Sequence, residues 1–181
     1  MTTILIHENI IYIQGKTVYI ILNQGGIFME LIKVGDAAPN FTVQDNHEQN
    51  ISLSSFKGKK ILLSWHPLAW TPVCTDQMRA LENNWDTFQK LNTIPLGFSV
   101  DAPPCKKIWA SALVIEKVSL PCDFWPHGKV AQDYGIFDKK EGTSKRANII
   151  IGEDGKVSWV KVYPYEQLPD INEVLNFLSN C

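Results

Sequence analysis

One stretch restricts the fold of this chain more than any other. An apolar run, Ile61-Leu62-Leu63, leads through Trp65-His66-Pro67-Leu68-Ala69-Trp70-Thr71-Pro72-Val73 and delivers Cys74 to the start of a helix. The run follows the turn-forming Lys57-Gly58-Lys59-Lys60 and has the character of a buried strand. Thr71 is a favoured N-cap residue, and Pro72 at the first helical position gives up only an N–H that has no partner there. Cys74 then falls in the first turn, where unpaired amides and the positive end of the helix dipole favour an anionic sulfur. Met78, Leu81, Trp85 and Phe88 follow at helical spacing, predicting a long helix to about Lys90 with the thiol on its inward stripe. A buried apolar cysteine is the commoner use of the residue, but this placement points to a nucleophile.

The chain from Met29 onward has the pattern of an α/β domain. Phe41-Thr42-Val43 and Ile51-Ser52-Leu53 flank the polar turn Asn46-His47-Glu48-Gln49-Asn50 and predict a small leading hairpin. Ile94 to Val100 is a second buried strand, broken by Asp101-Ala102-Pro103-Pro104 before a helix over 105–112. Leu120-Pro121-Cys122-Asp123-Phe124 reads as a short strand and 128–134 as a short helix. Residues 147–151 and 157–162, joined by Gly152-Glu153-Asp154-Gly155, predict an antiparallel hairpin, and Ile171, Val174, Leu175 and Leu178 form one apolar helix face. The expected result is a mixed central sheet flanked by helices. Residues 1–28 differ: Ile10 to Ile13 and Val18 to Leu22, around Gln14-Gly15-Lys16, predict two strands and a turn in an N-terminal extension of uncertain role, with 29–181 as the domain.

Pro67-x-x-x-Thr71-x-x-Cys74 resembles the active-site motif of the peroxiredoxins, thiol peroxidases with a thioredoxin-like fold. The resemblance begins at Val34-Gly35-Asp36-Ala37-Ala38-Pro39-Asn40-Phe41 and runs to the C-terminal helix. Pro67-Leu68-Ala69-Trp70 and Asp123-Phe124-Trp125-Pro126-His127-Gly128 are most similar to the alkyl hydroperoxide reductase E branch, whose members often work with one cysteine. The resemblance implies that Cys74 attacks a peroxide held by Thr71, by the amides of Val73 and Cys74, and by Arg146. Pro67 would shield the sulfur from water. Many relatives carry a glutamate three residues after the reactive cysteine, where this chain has Gln77. Cys105 is the implied resolving cysteine, with a one-cysteine mechanism as the alternative; Cys122 reads as buried and Cys181 ends the chain. The resemblance also implies chemistry without metal, haem or flavin, recycling by thioredoxin, glutaredoxin or a low-molecular-weight thiol, and a homodimer.

Ionising the thiol is not enough for such chemistry. A free thiol is about 3% thiolate at neutral pH, so complete ionisation gains about 30-fold, about 2 kcal/mol. Fixed donors aimed at the departing oxygen must supply the rest. Two other readings fit the fold class: a thioredoxin-type disulfide oxidoreductase, weakened by the lack of a Cys-x-x-Cys pair, and a non-catalytic binding or holdase protein.

Composition narrows the partners. The 181 residues, 45% hydrophobic and 20% charged, suit one globular domain. A formal charge of −2 without a basic stripe argues against nucleic acid or an anionic membrane surface. Four widely spaced cysteines describe neither a disulfide scaffold nor a zinc site and predict a reducing, cytoplasmic setting. No apolar run is long enough to span a membrane. His66 and His127, the six tryptophans and the lysines at 57, 59 and 60 read as structural or solvated groups.

Overall fold

The computed structural model describes residues 30–181 and, nearer the N-terminus, the backbone of β1 (Ile6–His7), β2 (Ile10–Ile13) and β3 (Lys16–Tyr19). β2 and β3 pair antiparallel, Ile10 opposite Tyr19 and Ile13 opposite Lys16, as the two-strand reading expects. β1 adds a third strand on β2. The strand starts at Lys16 rather than Val18, and Ile20, Ile21 and Leu22 of the expected segment lie outside the described residues.

The domain opens with the hairpin β4 (Thr42–Gln44) and β5 (Asn50–Ser52), then a short 3-10 turn over Leu53–Phe56. β6 (Lys60–Trp65), α1 (Pro72–Asn83), α2 (Trp85–Lys90), β7 (Thr93–Phe98) and α3 (Pro103–Leu113) follow. After α4 (Lys129–Asp133) come the two-residue strands β8 (Phe137–Asp138) and β9 (Thr143–Ser144). β10 (Arg146–Ile151), β11 (Val157–Tyr163) and α5 (Ile171–Ser179) close the chain. The central sheet has the order β11-β10-β6-β7, with β6 parallel to β7 and β10 antiparallel to both neighbours.

Strand alternation divides this sheet between two apolar layers. Ile61, Leu63 and Trp65 of β6, with Ala147, Ile149 and Ile151 of β10, pack against Phe41, Phe98, Tyr134 and Ile136. Leu62 and Ile150 face the other way, onto Met78 and Leu81 of α1, Trp109 of α3, and Val174 and Leu178 of α5. Arg146 shares parity with Ile150, so β10 carries its guanidinium on the α1 face. α1 lies so close to β7 that a Cβ at Gly97 would meet Met78 Sδ at 2.3 Å. A larger residue there would require Met78 and Leu120 to shift.

Two local expectations change, and one hairpin is new. The long helix divides at Asn84, whose backbone leaves helical geometry while its side-chain amide donates to Ala80 O at 2.8 Å. Leu120 to Phe124 form no strand. Only isolated bridges join Leu96 to Ser119 and Ser99 to Cys122, because Pro121 between them has no N–H to extend a ladder. The Pro121 carbonyl instead accepts from Nζ of the buried Lys106 at 2.8 Å. The β8–β9 hairpin was not legible from two-residue strands.

Asp123 anchors α4 by accepting from the amides of Val130 at 2.9 Å and Ala131 at 2.8 Å. Burial outweighs those donors and pushes its carboxyl up to about 6. The folded chain therefore retains a proton between pH 3.8 and about 6 that the unfolded chain has released. Stability from this group is complete below that window and is lost as pH rises through it, by on the order of 3 kcal/mol. Urea unfolding at pH 4 and 6.5 should show the advantage of wild type over Asp123→Asn shrinking as pH rises. A difference independent of pH would contradict this assignment.

Candidate active site

β6 ends at Trp65, opposite Ala147 of β10, and the chain then turns through 66–71 into α1. Both ends of the turn are tied down. His66 N donates to Phe98 O at 3.0 Å, and Ser144 Oγ donates to His66 O at 3.1 Å. Further on, Ala69 N donates to Asp101 Oδ2 at 2.9 Å, and Ser99 Oγ donates to the same oxygen at 2.7 Å. Trp70, between these anchors and the helix, has φ 68, a left-handed conformation that costs a bulky residue roughly 1 kcal/mol or more. The tethers hold it there.

Thr71 occupies the N-cap position and Pro72 follows inside the helix, as the sequence predicts. The Thr71 hydroxyl does not cap, however; it donates back to Leu68 O at 3.1 Å. The first helical bond runs from Thr75 N to Thr71 O, so the amides of Val73 and Cys74 precede the ladder. Pro67 and Val73 are half-buried and Thr71 is exposed. Cys74 itself is fully buried in the apolar layer beneath α1.

The guanidinium of Arg146 meets the sulfur directly, with Nη2 donating to Cys74 Sγ at 3.4 Å. Nε and Nη2 also donate to Tyr165 O at 3.0 and 2.8 Å, and Nη1 donates to Gln77 Oε1 at 2.6 Å. The Gln77 amide nitrogen in turn donates to Ser64 Oγ at 2.8 Å and Trp65 O at 3.2 Å. Tyr165 is held by its hydroxyl, which donates to Asp138 Oδ2 at 2.8 Å. Burial, with that contact, pushes the phenol up to about 12, while the same bond holds the Asp138 carboxyl below its ordinary value.

The structure thus brings together Cys74, Arg146, Thr71, Pro67 and the Val73 amide around one helix start. Cys105 stands apart in the first turn of α3, half-buried at the edge of the same apolar layer, with Sγ 4.0 Å from Asp101 Oδ1. None of the four cysteines is paired in a disulfide. Cys122 is buried, and burial pushes its thiol up to about 11; Cys181 is exposed. His66 is fully buried, and burial, then the charges of Lys106 and Arg146, pull it well below the ordinary histidine value, so it is neutral. His127 hydrogen-bonds Gly142 O at 2.7 Å.

Three participants escape sequence reading. Tyr165 holds Arg146 through a backbone carbonyl, which no side-chain pattern announces. Gln77 is visible only as a departure from a motif, and Asp101 reads simply as a strand breaker. Among the described residues, no group of three or more His, Cys, Asp or Glu is placed to hold a metal ion, and no helix is long and apolar enough to cross a membrane.

A thiol at a helix mouth, under a buried guanidinium and on a thioredoxin-like sheet, defines a class of enzyme that works through sulfur. Comparison with known proteins makes the class specific. The model of the AhpC/TSA family matches residues 34–160. Alkyl hydroperoxide reductase E of Mycobacterium tuberculosis is 33% identical over 133 residues, covering 73% of this chain and 86% of the relative. A peroxiredoxin of Thermoplasma volcanium is 31% identical over 151 residues, covering 82% and 74%. The reduced 2-Cys peroxiredoxin of Plasmodium vivax has a similar structure, with a TM-score of 0.73, 26% identity, and coverage of 81% of this chain and 80% of that one. The chain belongs to the AhpC/TSA family, and its class is that of the thiol-dependent peroxidases.

The Asp101 tether is open to test. Asp101→Ala leaves the donors of Ala69 and Ser99 without their acceptor, at a cost of about 1–3 kcal/mol. It should also slow Cys74 oxidation about tenfold through loss of alignment. Asp101→Asn, which keeps one acceptor oxygen, should recover most of both. Urea unfolding and stopped-flow oxidation read the two effects, and unchanged oxidation in Asp101→Ala would show that the turn does not depend on the tether.

Proposed function

We propose that Cys74 is the peroxidatic nucleophile of a peroxidase that reduces hydrogen peroxide and organic hydroperoxides. The observation that carries the reading is the 3.4 Å contact of Arg146 Nη2 with Cys74 Sγ at the free end of α1. The sulfur attacks one peroxide oxygen, the O–O bond breaks, and the departing oxygen leaves as an alkoxide or hydroxide that takes up a proton. Cys74 is left as a sulfenic acid. Charge grows on the departing oxygen in the transition state, and a permanently charged guanidinium with two amides free of the helix ladder is suited to stabilise it. Thr71 Oγ1 serves the peroxide by exchanging Leu68 O for it, and Pro67 covers the sulfur. A thiol then attacks the sulfenic sulfur, water leaves, and a second thiol releases Cys74 from the disulfide.

Cys105 supplies the first of those thiols in the two-cysteine form of this reading. Its place beside Asp101, which also holds Ala69 of the catalytic turn, favours the assignment. A disulfide needs Cα atoms within about 7 Å, so the turn and the first turn of α1 must loosen. In the one-cysteine form an external thiol acts instead: thioredoxin, glutaredoxin or a small thiol. Residues 29–181 form the peroxidase domain, with 1–28 as an extension; the assembly is a homodimer by resemblance to the family, and the sparse cysteines favour a cytoplasmic setting.

Cys74→Ser should abolish peroxide consumption under dithiothreitol, while Cys122→Ser retains most of it. In wild type, one equivalent of peroxide followed by mass mapping should give a Cys74–Cys105 disulfide. Turnover by Cys74→Ser would overturn the assignment, and a lasting sulfenic acid at Cys74 beside free Cys105 would leave the one-cysteine form.

A further inference from the structure

His66 opens the catalytic turn, and its imidazole takes no part in the chemistry at Cys74. The ring is fully buried against Trp109 of α3, at a centroid distance of 5.1 Å, and neither ring nitrogen has a hydrogen-bond partner among the described residues. The charged groups that act on it are both cations, Lys106 of α3 and Arg146 of β10. The Asp101 carboxylate is engaged further along the turn, with the Ala69 amide and the Ser99 hydroxyl, and Cys74 of α1 lies in the same apolar layer as Trp109. Only the Leu68 backbone favours the charged ring, and it stands outside hydrogen-bond geometry. A proton on this ring would therefore make a third buried cation without an acceptor. Burial first, and the two cations second, keep the ring neutral while the turn is closed.

The ring sits where the chain must move. The main chain of His66 is held at both sides, its amide donating to Phe98 O at 3.0 Å and its carbonyl accepting from Ser144 Oγ at 3.1 Å. Trp70, four residues on, is kept at φ 68, a conformation that relaxes when the tethers release. Cys105 and Trp109 are four apart on α3 and share a face, so the ring covers that helix one turn beyond Cys105. When residues 66–71 loosen, the ring comes away from α3, reaches water and regains the ordinary histidine value of 6.5.

We propose that His66 is a proton-operated latch on the catalytic turn: the neutral ring seats against Trp109 and keeps the turn closed, and a proton taken up by the released ring holds the turn open. The closed turn binds that proton far more weakly than the open one. Its advantage is therefore complete above pH 6.5 and is lost as pH falls below that value. Lys106, held down to about 8 by burial, keeps its charge throughout that range. Protonation of Asp123 works in the opposite sense, because it stabilises the fold as pH falls, so it cannot imitate the latch. Acid thus uncovers a thiol that the closed turn buries. Delivery of that sulfur to a second thiol rests on the peroxidase reading, whereas the opening itself does not.

Hydrogen exchange of the full chain, read by NMR at the Ala69 amide and divided by the intrinsic rate at each pH, measures the opening. Between pH 7.5 and 5.5 the opening constant in wild type should rise about tenfold, as one group of ordinary histidine acidity takes up a proton in the open form. The Ile149 amide, in the middle of β10, should not follow. His66→Phe keeps an aromatic ring for Trp109 but has no proton site, and its Ala69 amide should show no rise. Flat exchange at Ala69 in wild type, or an equal rise in His66→Phe, would overturn the proposal. If that variant does not fold, an NMR titration of the His66 ring in wild type decides: a ring still neutral at pH 5.5 in the closed protein supports the latch, and one that titrates at 6.5 or above overturns it. A wild type whose turn opens as described but which consumes no peroxide would support the latch and count against the peroxidase reading.

Discussion

Everything at the site depends on one contact, that of the Arg146 guanidinium with the Cys74 sulfur. Burying a guanidinium among neutral partners is unfavourable by itself, and the surrounding structure exists in large part to hold it there. β10 supplies the residue, the carbonyl of Tyr165 clamps one edge, and Gln77 grips the other. The sulfur arrives from a different element, at the start of α1. Two long-range constraints therefore meet at one atom.

The sheet explains how they meet. Because β10 pairs with β6 so that Ala147 stands opposite Trp65, Arg146 lies one step beyond the end of β6, where the chain turns toward α1. A register slip of one residue would send the guanidinium to the opposite apolar layer. The turn is equally determined, with His66 tied to β7, Ala69 tied to Asp101, and Trp70 held in a left-handed conformation between them and the helix. Asp101 borders both the catalytic turn and the first turn of α3.

Much of this was legible in the sequence because strong local signals coincide there. A buried apolar run, a Thr-Pro helix start and a cysteine in the first turn define β6, α1 and the candidate nucleophile of the proposed reaction without any long-range information. The α1 start and the β10–β11 hairpin follow the same logic, whereas α3 begins at Pro103, two residues before the expected 105, because both prolines sit inside its first turn instead of ahead of it. What escaped depends on tertiary contacts: the break at Asn84, the bridges at Ser119 and Cys122, and the clamp by Tyr165. Thr71 shows the boundary well. Its position as N-cap was readable, but its hydroxyl turns to Leu68 O, which only the folded turn brings within reach.

In the proposed reaction the guanidinium acts on the transition state as well as on the thiol, and alkaline pH separates the two. At about pH 10 a thiol with ordinary acidity is ionised with or without help, so any remaining rate difference reports the reaction itself. Stopped-flow oxidation of Cys74 by hydrogen peroxide at that pH should be about 100-fold slower in Arg146→Ala than in wild type, the order of loss expected when one aimed donor is removed. Equal rates at pH 10 would contradict the account and reduce Arg146 to a counter-ion for the thiolate.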